Sequence, residues 1–225
     1  MTTTMPHPQE TGTAVGRRAP RRRRLMRILV TGGARSGKSR HAGRLLEDRT
    51  RPGPSHADPP HQGAPHPGVP GHIPAPVTFI APGRPADELD DPDWAARVRH
   101  HRAHRPAEWH TLETADVAAA LRETRGPVLV DCLGTWLTGY VDRLGLWDTP
   151  VDETRLAVDA QVTELCEALA GRDDVVLVTN EAGSGVVPAH RAGGAFRDLL
   201  GALNQTVAAQ CHEVHLVVCG RVLVL

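Results

Sequence analysis

Gly32-Gly33-Ala34-Arg35-Ser36-Gly37-Lys38-Ser39 follows the apolar run Arg27-Ile28-Leu29-Val30-Thr31, and this junction decides the fold. The eight residues satisfy Gly-x4-Gly-Lys-Ser, the pattern of a phosphate-binding P-loop. The glycines let the backbone bend so that successive amides and the start of the following helix face an anion. All eight are therefore candidate nucleotide contacts. Lys38 is placed to reach the β- and γ-phosphates, and the Ser39 hydroxyl to ligate Mg²⁺. Lys38 is also the only lysine among 26 basic residues. A chain that uses Arg everywhere else keeps a compact ammonium where the motif needs one. The implied ligand is a nucleoside triphosphate with Mg²⁺.

Outward from this loop, short apolar runs alternate with helical stretches. Strands are expected at Arg27–Thr31, Val77–Ala81, Val128–Leu133, Val175–Thr179, Val214–Cys219 and Arg221–Leu225. Helices are expected at Lys38–Asp48, at Trp94–His104 with Asp93 as its cap, and near Ala115–Arg122. Further helices fit Gly134–Leu144, Asp152–Ala170 and Arg191–Cys211. This alternation predicts an α/β protein, a P-loop NTPase-like and mostly parallel sheet with helices on both faces. Residues 1–24 have no apolar period and read as a disordered basic tail. Residues 49–76, rich in Pro, Gly and His, read as a flexible insertion in the single domain 25–225.

Formal net charge is zero, but the chain up to Arg27 carries seven arginines against Glu10 alone. The body is thus acidic overall, which disfavours a nucleic-acid surface. The four cysteines, Cys132, Cys166, Cys211 and Cys219, lack metal-ligand spacing and read as buried free thiols. No apolar run approaches membrane-spanning length and no secretion signal is evident, so a cytoplasmic protein is expected. Aromatic residues are only 3% of the chain, so the core must rest on Val, Leu and Ala.

Asp131 closes the run Val128-Leu129-Val130 and is the candidate second Mg²⁺ ligand. A strand-end carboxylate capping the next helix is the alternative. Asp131-Cys132-Leu133-Gly134 also resembles a GTPase Asp-x-x-Gly. The guanine-specific Asn-Lys-x-Asp is missing, however, since the comparable strand end reads Thr179-Asn180-Glu181-Ala182. Between Arg97 and Arg105 lie three histidines and four arginines. That cationic patch is either a solvated face or a second phosphate site in which a neutral His attacks phosphorus.

The segments Ile28–Arg40, Arg97–Pro106, Val178–Pro188 and Phe196–Gln205 together resemble the bifunctional adenosylcobinamide kinase/adenosylcobinamide-phosphate guanylyltransferase family of cobalamin synthesis. The resemblance runs from about Arg27 to the C-terminus, outside the insertion. It implies a two-step enzyme that phosphorylates adenosylcobinamide with ATP or GTP. The enzyme then transfers GMP from GTP through a GMP-histidine intermediate, forming adenosylcobinamide-GDP and pyrophosphate. The family pattern Arg-[Ile/Val]-x-x-His-x-x-x-Arg-Pro, laid on Arg97-Val98 and Arg105-Pro106, frames His101 as the catalytic residue. His100 is the choice in a shifted register, and His104 fits less well.

By the same resemblance Arg102, Ala103, His104, Arg105, Glu113 and Asp131 contact GTP or its metal, as does the turn Gly83-Arg84-Pro85. At that turn the chain departs from the family, with Ala81-Pro82-Gly83 in place of a Thr/Ser-containing segment. Asp131 stands where Glu is frequent, which keeps the carboxylate. The polar, Gly-rich loop Asn180–Pro188 lines the corrinoid or nucleotide site, or is a structural turn with Pro188 starting the next helix. The resemblance also implies a homotrimer. Rival readings are a P-loop small-molecule kinase without nucleotidyl transfer, and a nucleotide-binding regulator that uses its Arg-rich arm on nucleic acid. Deleting residues 1–24 separates the last of these: enzyme turnover is expected to survive the deletion, and its loss would favour the regulator.

Overall fold

The computed structural model describes residues 26–50, 76–84 and 91–225. The expected tail at 1–24, nearly all of the insertion at 49–76, and Pro85 lie outside them. Strand β1 (Arg27–Gly32) buries Ile28, Leu29 and Val30 on both faces. β2 (Thr78–Ala81), β4 (Val128–Asp131) and β5 (Val175–Val178) are buried in the same way. Strands without a polar face belong inside a sheet covered on both sides.

They form the centre of a seven-stranded sheet ordered β3-β2-β4-β5-β1-β6-β7. β3 is His110–Glu113, β6 is Glu213–Val218 and β7 is Arg221–Val224. All neighbours are parallel except β7, which pairs antiparallel with β6. This is the expected P-loop NTPase-like α/β architecture.

Side chains alternate strictly between two layers, as the period of two requires. Leu29, Ile80, Val128, Val130, Val175 and Leu177 face a larger core. It is closed by α3 (Val117–Glu123), α4 (Leu133–Leu144), α5 (Val151–Ala170) and α6 (Arg191–Ala208). Ile28, Val30, Phe79, Leu129, Val176 and Val178 face the other way, against Ala42 and Leu46 of α1 (Lys38–Thr50). A fully buried Val, Leu, Ile or Phe contributes roughly 1.5–3 kcal/mol relative to exposure. Aliphatic layers on both faces therefore suffice in a chain so poor in aromatics.

At the amino ends of the strands two arginines tie helix ends to the sheet. Arg172 donates to the carbonyls of Leu121 and Gly126 at 2.6 Å each, and to that of Thr124. Arg27 donates to the Gln210 carbonyl at 2.7 Å and the Arg172 carbonyl at 2.9 Å. These bonds satisfy acceptors that helix termini leave unpaired.

Several boundaries differ from the sequence expectation. α2 (Pro92–Ala103) is capped by Asp91, not Asp93, because Pro92 occupies the first turn and Asp91 Oδ1 accepts from Trp94 N at 3.0 Å. The strand expected to reach Leu133 ends at Asp131, and Cys132 caps α4. α6 stops at Ala208, short of Cys211. β3 has no counterpart among the expected strands: only Leu112 in His110-Thr111-Leu112-Glu113 is apolar, and three of its four residues are exposed at the sheet edge. A 3₁₀ turn at Leu146–Asp148 also separates α4 from α5.

The thiols differ as well. Cys132, Cys166 and Cys211 are only partly buried, and Cys219 is exposed in the β6–β7 turn with a φ of 49°. Burial pushes the Cys211 thiol up to about 12. A thiol-reactive disulfide reagent at mildly alkaline pH is therefore expected to modify Cys219 first and Cys211 only on unfolding. Peptide mapping of the modified protein checks the order, and Cys211 reacting ahead of Cys219 would contradict it.

Candidate active site

The carboxyl ends of β1, β4 and β5 open at one edge of the sheet, where an α/β protein places its ligands. The P-loop leaves β1 and turns directly into α1. A Cβ on Gly32 would stand 2.4 Å from the Val217 carbonyl oxygen of β6, so no larger residue fits there. Gly37 holds a φ of 98°, which favours glycine. The loop is fastened from above and within. Gly220 N donates to the Ser36 carbonyl at 2.9 Å, and Lys38 Nζ donates to the Gly33 carbonyl at 3.1 Å.

Asp131 stands at the end of β4, its side chain 7% exposed. Its Oδ2 is buried and has no hydrogen-bond partner among the described residues. The nearest cationic candidate is His101, whose Nδ1 lies 3.8 Å away.

His101 comes from α2, a helix none of whose residues is buried. Contacts beyond the core therefore hold it. Trp94 Nε1 donates to the Arg84 carbonyl at 3.0 Å, and its ring lies against Gly83. Just past the helix, the Arg105 guanidinium sits 3.6 Å above the Phe79 ring. Arg102 pairs with Glu113 at 2.5 Å.

The three histidines divide between two positions. The His100 and His104 rings lie against each other at a tilt of 43° with centroids 4.1 Å apart, and His104 Nδ1 meets the His100 carbonyl at 2.7 Å. His101 turns instead toward Asp131. Burial holds its imidazole below the ordinary value; the Asp131 carboxylate opposes this, and Arg105, His100 and Arg97 reinforce it. Burial likewise lowers the Arg105 pKa, against the raising effect of Asp131 and Glu113.

These groups line one cleft of about 1430 Å³. Ala34, Arg35, Ser36, Gly37, Lys38 and Ser39 form one wall. Gly83, Arg84, His101, His104, Arg105, Glu113 and Asp131 form the rest of the predicted set. Gly32 and Gly33 make the base of the loop rather than its wall. Arg102 joins Arg105 and Glu113 in an adjoining pocket of about 600 Å³. Ala103 is exposed and lines neither space.

The cleft also includes Phe79, Trp94 and Thr135, which no motif singled out, and Phe196, which opens the segment Phe196–Gln205. Trp94, Val98 and His101 fall on successive turns of α2, and all three line the cleft. Asn180 lines it too, at the start of the Gly-rich loop. Pro188 does not begin a helix, because α6 starts at Arg191. No group of three or more His, Cys, Asp or Glu side chains able to hold a metal occurs among the described residues. Nor is any of their helices long and apolar enough to cross a membrane.

Comparison with known proteins points one way. A family model described as cobinamide kinase / cobinamide phosphate guanyltransferase matches residues 70–225. The bifunctional adenosylcobalamin biosynthesis protein CobU of Salmonella typhimurium is 36% identical over 211 residues, covering 87% of this chain and 97% of its own. The protein of the same name from Escherichia coli is 35% identical, with the same coverage of both chains. The bifunctional adenosylcobalamin biosynthesis protein CobP of Pseudomonas aeruginosa is 36% identical over 201 residues, covering 87% of this chain and 94% of its own. The chain belongs to the cobinamide kinase / cobinamide phosphate guanyltransferase family.

Proposed function

We propose that this protein phosphorylates adenosylcobinamide and then guanylylates the product, using one cleft for both reactions. The observation that carries the reading is the His101 imidazole, its Nδ1 3.8 Å from the buried Asp131 carboxylate, in the same cleft as a complete P-loop.

In the first reaction the P-loop amides and Lys38 hold the β- and γ-phosphates of ATP or GTP. The aminopropanol hydroxyl of adenosylcobinamide attacks the γ-phosphorus, its proton is released, and the bond to the β-phosphate oxygen breaks. In the second, His101 attacks the α-phosphorus of GTP and pyrophosphate leaves, giving a guanylylated imidazole. A phosphate oxygen of adenosylcobinamide phosphate then displaces the histidine and forms the diphosphate. Two displacements on phosphorus replace one between two anions.

His101 presents Nδ1 to Asp131, which leaves Nε2 for the attack. The His100 ring packs against His104 instead. Arg105 and its neighbours supply positive charge where phosphate oxygens gain negative charge.

Mg²⁺ fits the residues present: Asp131 offers an unpartnered buried oxygen and Ser39 a hydroxyl on the facing wall. Two protein ligands suit an ion that keeps waters and substrate phosphates in its shell. When bound, it would neutralise charge on the triphosphate. A homotrimer completes the reading. The apolar residues Val222, Leu223, Val224 and Leu225 are exposed at the β7 edge and offer a face for self-association.

Incubation with α-labelled GTP is expected to leave acid-labile, base-stable label on the protein, mapping as one GMP on His101. His100→Ala should keep the label, and His101→Ala should reduce it by roughly 10³-fold or more. Label surviving in His101→Ala, or none on the wild type, would overturn the guanylyltransferase reading.

A further inference from the structure

Asn180 stands at the cleft without a structural task for its side chain. It follows Thr179 at the carboxyl end of β5, the strand lying between β4, which ends in Asp131, and β1, which leads into the P-loop. Its main chain is fastened on every side. Thr179 N donates to the Val30 carbonyl at 2.9 Å, and Glu181 N to the Gly32 carbonyl at 3.1 Å. Asn204 of α6 donates through Nδ2 to the Asn180 carbonyl at 3.0 Å, and itself accepts from the Thr179 hydroxyl at 2.7 Å. The position is thus indexed to Gly32, where the P-loop begins.

The carboxamide is oriented but not used. Oδ1 is shut away from solvent with no hydrogen-bond partner among the described residues. It lies against the first turn of α4, where a Cβ on Gly134 would be 3.3 Å from it. A carbonyl oxygen at the positive end of a helix is electrostatically favoured there. With Oδ1 turned to the helix, the amide hydrogens on Nδ2 are the polar group left for the cleft that Asn180 lines. A neutral donor between a lysine-bearing loop and a carboxylate can approach a phosphate without repelling Asp131 or competing with Lys38.

We infer that Asn180 Nδ2 donates a hydrogen bond to the γ-phosphoryl group as it passes to the substrate hydroxyl. The assignment rests on the kinase reading above. It concerns that step because the P-loop holds the β- and γ-phosphates, and Asn180 is tied to the loop's first residue. His101 acts at the α-phosphate instead. No bond at Asn180 is made or broken; the donor meets charge that grows on the transferring oxygens.

The two half-reactions measured separately on the full chain test this. Transfer from γ-labelled ATP to adenosylcobinamide reads the kinase, and α-label retained from GTP reads the histidine. Asn180→Ala is expected to lower the kinase kcat roughly 10²-fold, with KM for ATP changed less than about threefold. Asn180→Asp, equal in shape but lacking the donor and adding charge, should lower it at least as far. Both variants should label on histidine like the wild type. A kinase kcat within about threefold of wild type in Asn180→Ala, or equal loss of both half-reactions, would overturn the assignment. A wild-type protein with no kinase activity would overturn the kinase reading itself, and the assignment with it.

Discussion

Parallel pairing of β4, β5 and β1 is the constraint on which the cleft depends. Asp131 pairs with Val178, and Val178 pairs with Val30, so three chain positions lie in one row across the sheet. Just beyond that row the chain departs into α4, into the Asn180 loop and into the P-loop. A carboxylate, a carboxamide and a ring of amides consequently gather within a few residues of each other along the sheet edge. A slip of one residue between β4 and β5 would turn Asp131 to the other face of the sheet. Val128–Val130 and Val175–Val178 send alternate apolar side chains into the two cores.

α2 obeys a different logic. It carries His101 yet contributes no buried residue to either core. Its position rests on the Trp94 bond to Arg84, the Arg102–Glu113 pair and the Arg105–Phe79 contact. A half-exposed ion pair is worth at most about 1 kcal/mol, and a cation–π contact about 0.5–2 kcal/mol. Arg105 is the strongest tether because it is partly desolvated and faces Asp131 and Glu113 as well as the ring. The half of the cleft formed by the P-loop is therefore built into the sheet. The half carrying the histidine is attached by a few polar contacts that a bound anion would strengthen.

Much of this is legible in the amino-acid sequence. Strand β1 and the P-loop follow from an apolar run ending in glycines. Asp131 stands out because an acid closes an otherwise apolar strand. The Arg97–Arg105 cluster stands out by its charge, and His101 and Arg105 within it line the cleft. What escapes a sequence reading is set by partners distant along the chain. β3 exists because β2 offers it an edge, not because its residues favour a strand. Asp91 displaces Asp93 as the cap because Pro92 suits the first helical turn. Cys219 is exposed because β7 folds back on β6, which a local apolar pattern does not reveal. The orientation of Asn180 depends on Gly134, Asn204 and Gly32, three positions on three other elements.

The central claim is that one cleft performs two phosphorus chemistries with different groups: the P-loop serves both, and the imidazole serves only guanylyl transfer. The most direct measurement is the adenosylcobinamide-dependent release of ADP from ATP by His101→Ala, followed beside GMP transfer by the same protein. The account predicts a kinase rate within about threefold of wild type while GMP transfer is lost. Kinase activity collapsing together with GMP transfer would contradict it, as would GMP transfer surviving without the histidine.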